Sequence, residues 1–80
     1  PYFLKINGIS FSIMHHPELI DANMLRNSDV IVHGHTHKFK EEILKETLIF
    51  NPGECAGLIK GKNSVGLIET EDLKTETIRF

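Results

Sequence analysis

The sequence is poor in the residues that mark several protein classes. Its 80 residues include one cysteine, Cys55, and no tryptophan. A single cysteine cannot form an intramolecular disulfide, so a disulfide-stapled secreted scaffold is excluded. No stretch comes near the ~20 consecutive apolar residues of a membrane span, and the first residues do not resemble a signal peptide. We therefore expect a cytoplasmic protein that makes no contact with a membrane.

A charge excess of either sign is also missing. Nine basic and eleven acidic residues give a formal net charge of −2. Proteins that bind nucleic acid by neutralising phosphates usually have an isoelectric point above about 9, so we expect no specific nucleic-acid binding. A chain this short forms one small domain at most and buries roughly 60% of its unfolded surface, which makes an independent core marginal.

The apolar pattern predicts a chain dominated by β-strands. The Asn7-Gly8 pair between residues 2–6 and 9–14 is typical of a two-residue hairpin turn. Residues 29–33 form a continuous apolar run, which is typical of a strand covered on both faces. Alternating apolar residues and turn signals predict four further strands, at residues 39–45, 47–51, 64–70 and 73–80.

Only one helix is predicted, at residues 17–27. Pro17 suits the first turn of a helix, and apolar side chains recur after it at helical spacing.

In the strand that precedes this helix, Phe11 belongs to a buried face and Ser12 to a polar one. A sheet needs a second layer over its buried face, and one short helix is too little to supply it. We expect the missing layer to come from more chain or from a second copy.

Three of the five histidines lie in the segment VIVHGHTHK, residues 30–38. In an extended segment His35 and His37 point to the same side and can reach one small volume. His15 ends an earlier strand, and ligands gather at the carboxyl ends of strands in α/β sheets. Because neutral imidazole is a common ligand of transition metals, these three residues predict a metal site. The alternative is a solvated turn whose histidines are satisfied by water.

The run Gly34-His35-Thr36-His37 after a buried strand, followed by Asn51-Pro52-Gly53, resembles the calcineurin-like metallophosphoesterases. It is most similar to their small single-domain bacterial and archaeal phosphodiesterases. The resemblance implies an α/β fold, a four-layer αββα sandwich, of which this chain is a β-rich part (α+β by its local content). It also implies two divalent metal ions, with Mn favoured over Ni, Fe and Zn. These ions would activate a hydroxide that hydrolyses phosphodiester or phosphomonoester bonds.

The same resemblance assigns roles to individual residues. Carried over by position, His15 and His35 would ligate one ion, and His37 would ligate the other. His16 stands where the family has glycine, so we predict that it is a catalytic residue, a general acid facing the substrate. The alternatives for His16 are a metal ligand in place of His15 or a local cap. The backbone of residues 51–53 would shape the wall of the site.

Several neighbouring residues are expected to be structural. His33 is predicted to be a partly buried residue that is hydrogen-bonded to backbone, and Cys55 to be a packing residue. Gly34 is expected to relieve crowding between backbone and ligand. Phe11 and Phe50 are predicted to lie in the core.

The family's D-x-H, G-D and G-N-x-D motifs, which supply the remaining ligands, are missing from the sequence. We therefore expect residues 1–80 to be the C-terminal half of one metallophosphoesterase domain, with the N-terminal half absent from this chain. The isolated chain would be inactive, and the full-length enzyme would act on a small-molecule phosphodiester or nucleotide, as a homodimer or tetramer. Two alternatives are a non-catalytic protein-interaction scaffold on the same fold and a free-standing metal-binding module.

Overall fold

The computed structural model describes all 80 residues, which form two β-sheets and two short helical segments. The α-helix α1 comprises Ala22–Asn27, and a 3-10 helix comprises Pro17–Leu19. All seven predicted strands are present, and none is shortened by more than two residues at either end. They are β1 (Tyr2–Ile6), β2 (Ile9–Ile13), β3 (Val30–Val32), β4 (Lys40–Leu44), β5 (Thr47–Asn51), β6 (Ser64–Ile68) and β7 (Thr75–Arg79).

Five strands form a mixed sheet in the order β1-β2-β3-β5-β4. The three central strands β2, β3 and β5 are parallel, and the outer strands β1 and β4 pair with them antiparallel. Strands β6 and β7 form a separate antiparallel pair. The carboxyl ends of the three parallel strands meet at one edge, so the segments that follow them are brought together there. This mixed, β-rich α/β architecture confirms the predicted fold class.

Two hairpin turns carry positive backbone angles. Asn7 (φ 50°) and Gly8 (φ 79°) join β1 to β2, as the sequence predicts. Lys45 (φ 48°) and Glu46 (φ 70°) join β4 to β5 in the same way, although neither residue is glycine. Positive φ at both turn positions matches the twist of the paired strands, and the five-residue ladder on each side holds this conformation.

The central sheet is covered on both faces, as predicted for β3. Val30 and Ile31 are consecutive, point to opposite faces and are both fully buried. The first face is covered by Ile68 of β6 and by Leu73, which precedes β7, and its buried side chains are Phe11, Val30, Leu48 and Phe50. The second face is covered by the helical segment, and its buried side chains are Met14, Ile31 and Ile49. The core positions predicted for Phe11 and Phe50 are therefore confirmed.

The single helix predicted at residues 17–27 is wrong, because the chain is extended at Ile20 (φ −68°, ψ 122°). A new helix begins after Asp21, whose carboxylate accepts a hydrogen bond from the Met24 backbone N–H at 2.9 Å. Such a carboxylate satisfies a backbone donor that has no partner within the helix, and so favours a helix start at this point. Neither helical segment is long and apolar enough to cross a membrane.

The face of β2 that was predicted to be polar is covered. Ser12 is buried, and its hydroxyl lies 2.6 Å from the equally buried hydroxyl of Ser28. Each hydroxyl satisfies the other, which allows both to be buried beside α1. Alternation alone could not reveal this pairing, because Ser28 lies sixteen residues further along the chain.

Candidate metal centre

Backbone hydrogen bonds align the three segments that follow the parallel strands. The Gly34 N–H donates to the His15 carbonyl at 3.1 Å, and the His33 N–H donates to the Phe50 carbonyl at 3.1 Å. The loop after β3 is therefore attached on one side to the end of β2 and on the other to β5. This brings the GHTH segment, the His15-His16 pair and the NPG segment to one edge of the sheet.

Three histidines form a cluster at this edge. One ring nitrogen from each of His15, His16 and His35 lies within 4.8 Å of the others. His15 Nε2 and His35 Nδ1 are 3.3 Å apart. The rings of His16 and His35 lie 4.3 Å apart between centroids. All three side chains are exposed, so the cluster can be reached from solvent.

The geometry of this cluster fits a divalent metal ion. Metal–nitrogen distances of about 2.0–2.1 Å place two nitrogens of a tetrahedral site about 3.3 Å apart. His15 Nε2 and His35 Nδ1 already have this separation. The largest separation in the cluster, 4.8 Å, is wider than two nitrogens on one ion, so one exposed ring would have to reorient. The donor set is entirely imidazole, which suits Zn, Cu, Fe or Ni better than Ca or Mg.

His37 lies outside this cluster and pairs with a carboxylate instead. His37 Nδ1 is 3.4 Å from Glu54 Oε2. When Nδ1 carries the proton and donates to the carboxylate, Nε2 is left with its lone pair free to bind a metal. Glu54 is partly buried, in contrast to His37. Sequence analysis gave Glu54 no role, although its position directly after Asn51-Pro52-Gly53 was a signal.

The expectation that His35 and His37 point the same way from an extended segment is wrong. Both have left-handed backbone conformations, with φ of 70° and 59°. The Thr36 N–H donates to the Gly34 carbonyl at 2.9 Å, which closes a three-residue γ-turn centred on His35. Positive φ at His35 and again at His37 changes the direction of the chain at each residue. The His35 ring therefore lies beside His15, and the His37 ring lies beside Glu54.

Asn51 connects the two motifs through its side chain, which is fully buried. Its Nδ2 donates to the Thr36 hydroxyl at 3.1 Å and to the Gly34 carbonyl at 3.4 Å. Its Oδ1 accepts a hydrogen bond from the Gly53 N–H at 3.0 Å. Sequence analysis assigned this segment only a backbone role, so the side chain of Asn51 is a functional feature that it missed.

The structure decides between some of the roles that were open for His16 and His33. His16 precedes the 3-10 helix but makes no side-chain cap, which removes the local-cap alternative. Its Nδ1 lies 3.5 Å from Glu18 Oε2, at the exposed rim of the cluster. His33 is buried and its Nδ1 lies 3.1 Å from the Gly34 carbonyl oxygen, which confirms the predicted backbone hydrogen bond.

One structural expectation is wrong. Cys55 is exposed and does not pack in the core. A Cβ atom added to Gly34 would lie 3.7 Å from His15 Nδ1, an ordinary van der Waals distance, and Gly34 does not have a positive φ. Crowding against protein atoms therefore does not explain the glycine at this position, and relief of crowding against a ligand stays a prediction.

Comparison with known proteins identifies the family. The sequence pattern of the calcineurin-like phosphoesterase superfamily domain matches residues 3–73. The chain belongs to this superfamily. It is 32% identical over 71 residues to a phosphodiesterase of Methanocaldococcus jannaschii, and the match covers 85% of this chain and 43% of the relative.

Solved structures share the fold of this chain. An archaeal phosphodiesterase has a TM-score of 0.81 and 30% identity, and the match covers 99% of this chain and 50% of the other. Vps29 from Entamoeba histolytica, solved as a zinc complex, shares the fold with a TM-score of 0.65 at 21% identity, over 99% of this chain and 58% of the other. The chain thus spans about half the length of the relatives it matches.

Proposed function

We propose that this chain supplies part of the active site of a metal-dependent phosphoesterase that hydrolyses small-molecule phosphodiesters. The observation that carries the proposal is the 3.3 Å separation of His15 Nε2 and His35 Nδ1, which suits two ligands of one ion. Membership of the calcineurin-like phosphoesterase superfamily and a relative named as a phosphodiesterase support the choice of reaction.

Two divalent ions are proposed, with Mn favoured. His15 and His35 would hold one ion, and His37, oriented by Glu54, would hold the other. Bound ions would act as Lewis acids on the phosphate ester and on the attacking water. His16 would face the substrate from the exposed rim of the cluster, where its Nδ1 pairs with Glu18 Oε2 at 3.5 Å and it makes no side-chain cap. A proton donated from His16 to the leaving alcohol would complete the hydrolysis.

We also propose that the chain is the C-terminal half of one metallophosphoesterase domain and that the other half supplies carboxylate ligands. The histidine cluster contains no carboxylate. The chain exposes 5532 Å², whereas a folded monomer of its mass is expected to expose about 4,900 Å². Exposed apolar side chains, which include Tyr2, Phe3 and Phe80, are available to pack against a second half.

Hydrolysis of a chromogenic phosphodiester, bis(p-nitrophenyl) phosphate, by the complete gene product that contains this chain tests the proposal. We expect activity with added Mn²⁺, loss of activity with a chelator and recovery when Mn²⁺ is restored. Replacing both His35 and His37 by alanine should reduce the rate to that of the metal-free protein. A Glu71→Ala variant, altered at the exposed turn before β7, serves as the matched control. Undiminished activity of the double variant would disprove the assignment.

The second candidate is a non-catalytic scaffold that uses the same fold to bind another protein. The specific observation in its favour is the extent of exposed apolar surface on a chain whose histidine cluster lacks a carboxylate. Complete gene product that takes up metal but hydrolyses no phosphodiester or phosphomonoester would favour the scaffold. Metal-dependent turnover would favour the enzyme.

A further inference from the structure

The carbonyl oxygen of Gly34 receives three hydrogen-bond donors. They are the Thr36 N–H at 2.9 Å, His33 Nδ1 at 3.1 Å and Asn51 Nδ2 at 3.4 Å. A carbonyl oxygen has two lone pairs, so three donors more than fill its accepting capacity. The N–H of Gly34 itself donates to the His15 carbonyl. The residue is therefore held at both its donor and its acceptor, directly before the metal-binding candidate His35.

The conformation that follows Gly34 is strained. His35 has a φ of 70° and lies at the centre of the γ-turn closed by the Thr36 N–H. A non-glycine residue in such a conformation costs about 1–3 kcal/mol and persists only where its surroundings impose it. One backbone hydrogen bond inside the turn offsets little of this cost. The side chains of His33 and Asn51 approach the same carbonyl from outside the turn and so supply the additional constraint.

The burial of the His33 side chain indicates a role for this residue beyond packing. The side chain is buried, and its Nε2 has no hydrogen-bond partner. An unpartnered buried polar atom costs roughly 1–3 kcal/mol, which an apolar side chain of similar size would avoid. Because a carbonyl oxygen can only accept, the proton of the neutral ring must lie on Nδ1 for the bond to Gly34 to form. The free-energy cost of the unpartnered Nε2 thus accompanies one specific hydrogen bond, the one that Nδ1 donates to the Gly34 carbonyl.

We propose that His33 and Asn51 are positioning residues that hold the Gly34 carbonyl and thereby keep His35 aimed at His15. The inference rests on the proposed metal centre, since its consequence is metal affinity. His33 and Asn51 would not touch the ion. They act through Gly34, which connects the strand ends that carry His15 and His35.

Two amide substitutions at His33 test this directly. The amide nitrogen of asparagine takes the place of Nδ1, whereas that of glutamine takes the place of Nε2. We expect His33→Asn to bind Mn²⁺ or Zn²⁺ nearly as tightly as the natural protein in calorimetric titration of the complete gene product. We expect His33→Gln to bind about 10–100-fold more weakly, as for other losses of outer-shell support. Both variants lose the packing of the ring, so a purely structural role would weaken them alike, and equal affinities would overturn the inference.

The tautomer of His33 gives a test that does not depend on metal. Long-range ¹H–¹⁵N correlation spectra of the metal-free complete gene product distinguish a proton on Nδ1 from one on Nε2. The inference requires the Nδ1–H form, and a predominant Nε2–H form would overturn it. If the natural protein binds no divalent metal, the proposed function fails, and the tautomer alone then decides whether His33 holds the Gly34 carbonyl.

Discussion

The Asn51 amide nitrogen lies 3.1 Å from the Thr36 hydroxyl oxygen, and this contact joins the segment after β5 to the loop after β3. The two residues are fifteen positions apart in the chain. The NPG and GHTH motifs are therefore one structural unit, in which Asn51 forms hydrogen bonds to residues of both. Damage to either motif should affect the conformation of the other.

Replacing Asn51 with alanine should lower the free energy of unfolding by about 2–3 kcal/mol, because buried partners lose their hydrogen bonds. The Gly53 N–H would lose its acceptor, and the Gly34 carbonyl would lose a donor. Urea denaturation of the complete gene product measures the change. Asn23→Ala, on the exposed surface of α1, is the matched control and should alter stability by less than about 0.5 kcal/mol. Equal stabilities for the two variants would contradict the role given to Asn51.

Replacing Gly66 with alanine should destabilise the packing of the second sheet on the first. The added Cβ would lie 2.5 Å from Phe50 Cε2 and 2.9 Å from Pro52 Cβ, distances that require the neighbours to move. Overpacking of this kind costs about 1–3 kcal/mol. Gly34→Ala is the matched control, because its Cβ meets only ordinary contacts. Thermal denaturation should therefore show a lower midpoint for Gly66→Ala alone, and a lower midpoint for both would argue against this account.

Replacing Asp21 with alanine should remove the N-cap of α1, whose carboxylate accepts from the Met24 N–H. The expected loss of stability is about 1 kcal/mol. Asp21→Ser retains an oxygen that can accept the same hydrogen bond and should preserve most of the stability. Chemical denaturation of both variants measures the difference. If Asp21→Ser is as unstable as Asp21→Ala, the cap does not determine where this helix begins.

Replacing Glu54 with alanine should weaken binding of the ion assigned to His37, because the His37 ring loses its orienting carboxylate. Loss of such a partner typically costs 10–100-fold in metal affinity. Calorimetric titration with Mn²⁺ should show one of two binding events weakened and the other unchanged. Glu42→Ala, which removes an exposed carboxylate paired only with Lys40, is the control. An unchanged titration for Glu54→Ala would separate Glu54 from the metal centre.

Much of the fold could be predicted from short stretches of sequence. The Asn7-Gly8 turn and the apolar run at Val30–Val32 identified their strands, because turn chemistry and burial on two faces depend on adjacent residues. The break at Ile20 could not be predicted in the same way. Asp21 is a favourable N-cap, but the apolar spacing continues across it, and the cap together with the packing of α1 against the sheet makes a new start there favourable.

The sequence by itself determined the family, the order of the strands along the chain and the set of candidate histidines. These features depend on residue type and spacing, which are visible without a fold. Only the tertiary structure decided how the histidines divide. His35 turns toward His15, and His37 turns toward Glu54, because both have left-handed backbones. The loop that contains both histidines is held by hydrogen bonds from side chains such as Asn51, which is more than a dozen residues away. The spacing of residues within the GHTH segment does not indicate those contacts.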